Sequence, residues 1–154
     1  GVQTCALPIS SVVLCASGTA AAHFHAAVIE ADLSCVPMLV VTADRPPELR
    51  DVGAAQTIDQ TNLFANAVRW FHDPGVAAAE ASGSWRSLAA RCIHRALGPR
   101  PGPVHLNLPF REPLLGRALE IDGADVPVGS LQGVVGVDPE SLADVIAKIG
   151  RAHV

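Results

Sequence analysis

The sequence lacks a long apolar run. None of its 154 residues belongs to a stretch of the roughly 18 apolar residues that a membrane-spanning helix requires. Basic residues are few, 11 against 15 acidic ones for a net charge of −4, and they form no cluster. That argues against a nucleic-acid partner, whose phosphates would demand one. The four cysteines, Cys5, Cys15, Cys35 and Cys92, contain no C-x-x-C pair. They read as reduced, buried thiols of a cytoplasmic protein. The six histidines make no metal pattern: His23 and His25 stand two apart and diverge on a helix, whereas a closed zinc site needs four converging ligands. Neither G-x-G-x-x-G nor a Walker A loop occurs, nor any internal repeat. Gly1–Ser10 has no positive n-region and no h-region, so no signal peptide is expected. What is present is apolar: 49% hydrophobic against 17% charged residues. That composition folds rather than stays disordered, and the length suits one domain.

The two ends stand apart from the rest. Ile149–Val154 can be written as ATC GGA AGA GCA CAC GTC, and the reverse complement of that DNA, slightly extended, encodes Gln3–Ile9. The termini therefore resemble one sequencing adapter translated on both strands. Residues 1–9 and 149–154 are expected to be artefact, and the remainder an internal fragment of a longer protein.

Between these ends, strand and helix signals alternate. Val12–Ala16 is a short apolar run closed by Ser17-Gly18, and Thr19 is placed to cap a helix. Phe24, Ala27, Val28 and Ala31 recur at helical spacing, and Met38–Ala43 is the next strand, completing a βαβ unit. A short helical piece near Thr61–Asn66 and a strand over Val68–Phe71 follow, ended by Asp73-Pro74-Gly75. Trp85, Leu88, Ala89, Cys92, Ile93, Ala96 and Leu97 fit an amphipathic helix that stops at Gly98-Pro99. Val104–Leu108 is a further buried strand. The alternation predicts an α/β fold with a mostly parallel sheet, its strands buried on both faces and its helices flanking. From Leu114 the period fades: residues 115–148 read as a linker leading into a further domain, with a helix over Pro139–Ala147.

Three segments carry polar groups where an open sheet binds ligands, at the carboxyl ends of its strands. The Ser17-Gly18-Thr19 turn aims backbone N–H groups past the sheet edge, or is an ordinary βα turn. "TADRPPELRDVGAAQTIDQ", residues 42–60, crowds two arginines, four carboxylates and two glutamines into one loop. Pro46 and Pro47 stiffen the chain beside Arg45, whose planar fork can take a carboxylate. Arg45 can equally pair with Asp44 or Glu48. Gln56 and Gln60 bring amides that both donate and accept. In "GPVHLNLPFREPL", residues 102–114, His105 and Asn107 alternate with apolar residues. They read as buried polar groups that need hydrogen-bond partners.

Taken in order, "SGTAAA", "VTADRPPELR", "GAAQTIDQ", "AVRWF" and "RPGPVHLNLPFREPL" resemble the thiamine-diphosphate-dependent 2-succinyl-5-enolpyruvyl-6-hydroxy-3-cyclohexene-1-carboxylate synthases of menaquinone biosynthesis. The resemblance covers about Ser11 to Leu114, and "TADRPPEL" is its most specific part. It implies that residues 10–114 are the C-terminal part of a pyrimidine-binding domain. The activity it implies is a transferase that decarboxylates 2-oxoglutarate on thiamine diphosphate and adds the succinyl unit to isochorismate. It further implies Arg45 as a carboxylate-binding residue for isochorismate, Gln56 facing the cofactor and acceptor, and Ser17, Gly18 and Thr19 beside the pyrimidine ring. Many members have Asn before that glutamine, where this chain has Ala55. The activating glutamate is expected upstream of Ser11, and the ligands for Mg2+ and diphosphate in a later domain. The parent is expected to be a homo-oligomer, and the fragment alone inactive. An acetolactate-synthase type of enzyme and a non-catalytic α/β binding domain are the rival readings.

Overall fold

The computed structural model describes residues 11–115, so the expected linker beyond Gly116, the helix over Pro139–Ala147 and both end segments lie outside the described residues. Four strands form one sheet: β1 (Ser11–Cys15), β2 (Met38–Asp44), β3 (Trp70–His72) and β4 (Pro103–Pro109). Their order is β1-β2-β4-β3 and every pairing is parallel. The α/β expectation holds, and all four carboxyl ends come to one edge of the sheet.

The register sorts the side chains by face. On one face, Val104 and Leu106 of β4 pack with Cys92 and Ala96 of helix α3 (Trp85–Ala96), joined by Leu39, Val41, Leu88 and Trp70. The opposite face carries Val28, Val40 and Phe64, with Val13, Phe24 and Met38 against them. Val28 comes from α2 (His25–Leu33), which follows the single turn α1 (Thr19–Ala22). The two crossovers therefore cover opposite faces, as in other layered α/β domains.

Several local expectations are corrected. Thr19 is not the cap of α1; Gly18 occupies that place with φ 79° and no side-chain cap, and Thr19 is exposed. Ala27, Ala89 and Ile93 face outward, so the apolar stripes of α2 and α3 are narrower than their spacing suggests. Residues 61–64 form turns rather than a helix, with a 3₁₀ turn only at Ala65–Ala67, and the third strand starts at Trp70. Burial on both faces holds for β4 but not for β1. At the edge of the described sheet, with no described residues packed over its α3 side, β1 leaves Val12 58% and Leu14 70% exposed. Of the cysteines described, only Cys92 is buried; Cys15 is half-buried and Cys35 exposed. Burial raises the Cys92 and Cys15 thiols above their ordinary pKa, which holds both as neutral thiols.

At the amino ends of the strands, Arg69 fastens α2 to the entry of β4. Its guanidinium pairs with the Asp32 carboxylate and donates to the Arg100 and Pro101 carbonyls at 3.0 and 2.9 Å. The hydrogen bond from Arg69 holds the Asp32 carboxyl below its usual pKa. A Cβ at Gly102 would come within 2.5 Å of that guanidinium, so any side chain there would displace Arg69.

Candidate functional site

Toward the carboxyl ends of β2 and β4, the α2 face turns from hydrocarbon to polar. Thr42, His105, Asn107 and Gln60 are each no more than 1% exposed. Buried groups of this kind must find partners or cost stability, and nearly all do. Asn107 Nδ2 donates to Asp44 Oδ2 (2.9 Å) and Asp73 Oδ2 (3.1 Å). Its Oδ1 accepts from Thr42 Oγ1 (2.8 Å) and Gln60 Nε2 (2.8 Å). His105 Nε2 lies 2.8 Å from Thr42 Oγ1, while its Nδ1 has no partner among the described residues. Phe64 and Phe71 pack around that ring, and burial lowers its pKa to about 4. His105 is thus a neutral core histidine. Both polar residues of β4 are buried members of a network, as the alternating pattern anticipated.

Gln60 joins this network to the turn after β1. Its Oε1 accepts from the Gly18 N–H at 2.7 Å, and its Nε2 also donates to the Ala43 carbonyl at 3.0 Å. One side chain therefore ties together the ends of β1, β2 and β4. The Gly18 N–H is spent on Gln60, which fits the ordinary βα turn, one of the two readings given for that segment. Gly18 is needed for closeness as well as for its positive φ: a Cβ there would stand 2.9 Å from the Gln56 carbonyl oxygen.

Charges gather just outside this network. Arg50 Nη2 bridges Asp44 Oδ2 (2.8 Å) and Asp73 Oδ2 (3.1 Å). Burial works to raise the Asp73 carboxyl, but the Gly75 N–H, Asn107 and Arg50 outweigh it and hold the group below its usual pKa. Glu48 is taken by Arg111 at the surface, and that hydrogen bond holds its carboxyl at about 2. Asp44 receives the Arg45 backbone N–H at 2.7 Å, not its guanidinium. Among the described residues no carboxylate pairs with Arg45, and its buried Nε has no hydrogen-bond partner.

A cavity of about 480 Å³ opens at the strand ends, lined by Ala16, Ser17, Asp44, Arg45, Gln56 and Phe110, among others. Its size falls in the range of small-molecule sites. Of the residues expected at a site, Ser17, Arg45 and Gln56 meet in this cavity, whereas Gly18 and Thr19 do not line it. Gln56 Nε2 donates to the Ser17 carbonyl at 3.1 Å, drawing the distal part of the loop against the first turn. Ala55 is exposed and contributes only its carbonyl, to Thr57. The polar lining of the cavity is a guanidinium, an amide, a hydroxyl and the Asp44 carboxylate, beside apolar wall. No group of carboxylates, histidines or cysteines among the described residues could hold a metal ion. Nor is any described helix long and apolar enough to cross a membrane. Sequence reasoning missed Arg50 and Asp73, which lie 23 residues apart and pair directly at 3.1 Å. The signal available was a surplus of carboxylates beside one strand end.

Residues 10–63 match the family model described as thiamine pyrophosphate enzyme, N-terminal TPP binding domain. The 2-succinyl-5-enolpyruvyl-6-hydroxy-3-cyclohexene-1-carboxylate synthase of Haloquadratum walsbyi is 60% identical over 104 residues, covering 66% of this chain and 17% of that protein. The synthase of the same name from Thermobifida fusca is 56% identical over 105 residues, 67% of this chain and 19% of its own length. That of Halorubrum lacusprofundi is 46% identical over 149 residues, 90% and 24% respectively. The chain spans about a fifth of the length of these curated relatives. The first part of the parallel α/β sheet described above, residues 10–63, is thus similar to the N-terminal TPP binding domain of thiamine pyrophosphate enzymes, and the chain is similar in sequence to the synthases named here.

Proposed function

We propose that this chain is part of a thiamine-diphosphate-dependent transferase that decarboxylates 2-oxoglutarate and adds the succinyl unit to isochorismate in menaquinone biosynthesis. The observation that carries the reading is the convergence of Ser17, Arg45 and Gln56 from separate segments on one cavity, with a buried, unpaired nitrogen on Arg45. In this reading Arg45 grips a carboxylate of isochorismate through its fork. Gln56, steadied by its bond to the Ser17 carbonyl, offers its amide to the acceptor. Ser17 and the tight Gly18 turn let backbone approach the ring end of the cofactor, and Thr19 lies beside them without reaching the cavity. Thiamine diphosphate, when bound, supplies the stabilisation of negative charge that 2-oxo-acid decarboxylation needs. These residues hold the acceptor in line and exclude water from it. Mg2+ and the diphosphate would be held by residues outside the described domain. The proposal extends to a homo-oligomeric parent in the cytoplasm, with no activity in this segment by itself.

Steady-state kinetics of the full-length protein test this. A hydrogen bond to a charged group contributes about 1.5–3 kcal/mol, so Arg45→Ala should lower kcat/KM for isochorismate roughly ten- to hundredfold. Saturation by 2-oxoglutarate should change far less. Unaltered isochorismate kinetics would remove Arg45 from the site. Faster turnover of pyruvate than of 2-oxoglutarate would favour an acetolactate-synthase type of reaction.

A further inference from the structure

Asp44 and Arg45 are chain neighbours, and a buried carboxylate needs a compensating cation or hydrogen bonds. Asp44 finds them elsewhere than in the Arg45 guanidinium. Asp44 is 4% exposed, and its oxygens are already occupied by the Arg45 backbone N–H, by Asn107 and by Arg50. Arg50 also bridges to Asp73 and donates its Nε to the Arg45 carbonyl at 3.3 Å. It touches Arg45 only through the backbone and does not line the cavity at the strand ends. One guanidinium thus engages two carboxylates while its neighbour in the loop keeps an unpaired nitrogen.

We propose that Arg50 is a positioning residue that occupies Asp44 and so reserves the Arg45 guanidinium for a carboxylate ligand in the cavity. The inference rests on the reading of Arg45 given above and adds the residue that makes it possible. Without Arg50, Asp44 and Asp73 become two uncompensated carboxylates beside the site. In this proposal the guanidinium of Arg45, the chain neighbour of Asp44, then turns toward that carboxylate.

Isochorismate binding to the full-length holoenzyme, followed by calorimetry alongside kinetics, distinguishes this from a merely structural role. Arg50→Met should raise Kd and KM for isochorismate about tenfold, with kcat changing less than about threefold, the scale of one charge-assisted hydrogen bond. Adding Asp44→Asn to Arg50→Met should restore most of the affinity, because the competing carboxylate is gone; such coupling is what a double-mutant cycle reads. A structural arginine gives the reverse, with the double variant at least as weak as the single. Unchanged Kd in Arg50→Met, or no recovery in the double variant, overturns the inference. If Arg50→Met does not fold, Arg50→Lys should bind with intermediate affinity, since an ammonium lacks the fork that spans two carboxylates; wild-type Kd with a lowered Tm overturns the inference. Should Arg45→Ala leave binding intact, the reading of Arg45 fails and this one with it. Should Arg45→Ala weaken binding while Arg50→Met does not, only the role of Arg50 is lost.

Discussion

The two faces of the sheet are built from the same strands and solve burial in opposite ways. Toward α3, β2 and β4 present Leu39, Val41, Val104, Leu106 and Leu108, and the contact is hydrocarbon throughout. Toward α2, the same strands begin with Val40 and end with Thr42, His105 and Asn107, which survive burial because each is bonded to a neighbour. An apolar face loses stability by the methyl group. A polar network loses it by the stranded partner, and one deletion strands several.

The contrast can be broken by substitution. Asn107→Leu removes one partner each from Thr42, Gln60, Asp44 and Asp73 and should cost about 3–5 kcal/mol, at roughly 1 for each hydrogen bond lost. Val104→Ala on the other face should cost about 2 kcal/mol, from two methyl groups at roughly 0.8 each plus a cavity. Urea denaturation of the full-length protein checks the pair, and equal losses would erase the distinction. Next in size is a pH effect peculiar to the polar face. His105 titrates at about 4 in the fold against an ordinary 6.5, so between those values the unfolded chain binds the extra proton. Stability is therefore full above pH 6.5 and declines as pH falls toward 4, by up to about 3 kcal/mol. His105→Asn should flatten the curve in that window. Asp73, whose pKa is lowered, works in the same direction only below the ordinary carboxylate range. Smallest is the exposed Arg111–Glu48 pair. Arg111→Ala should leave the denaturation midpoint unmoved at physiological salt, because solvent and ions screen such pairs. A large shift would mean that polarity rather than burial sets the cost.

Strand and helix order was legible because apolar runs and helical spacing are local properties. The parallel sheet followed from their alternation, and the strand boundaries of β2 and β4 fall within a residue or so of the apolar runs. The cap at Gly18 was not legible as such, because the close approach of Gln56, 38 positions later, decides it. The exposure of Val12 and Leu14 was equally hidden: composition marks a residue as apolar and says nothing of which strand lies at the edge. At the site, Arg45, Gln56 and Ser17 were readable as polar groups at strand ends. The choice between pairing Arg45 with Asp44 and leaving it unpaired was not, since it depends on where Arg50 reaches. Buried polar residues on β4 announced that partners must exist, but not that Gln60 would be one of them.

The three-way hold that Gln60 has on the sheet fixes how the segment between Arg45 and Gln60 can behave. It leaves β2 at one end and is tethered at the other to Gly18, Ala43 and Asn107. A span fastened at both ends cannot swing as a hinged flap; its freedom is confined to the outward bow at 51–53, where every residue is exposed. Lengthening that bow would cost little chain entropy. One added residue between Gln56 and Gln60 would pull either the amide from the cavity wall or the tether from the strand ends.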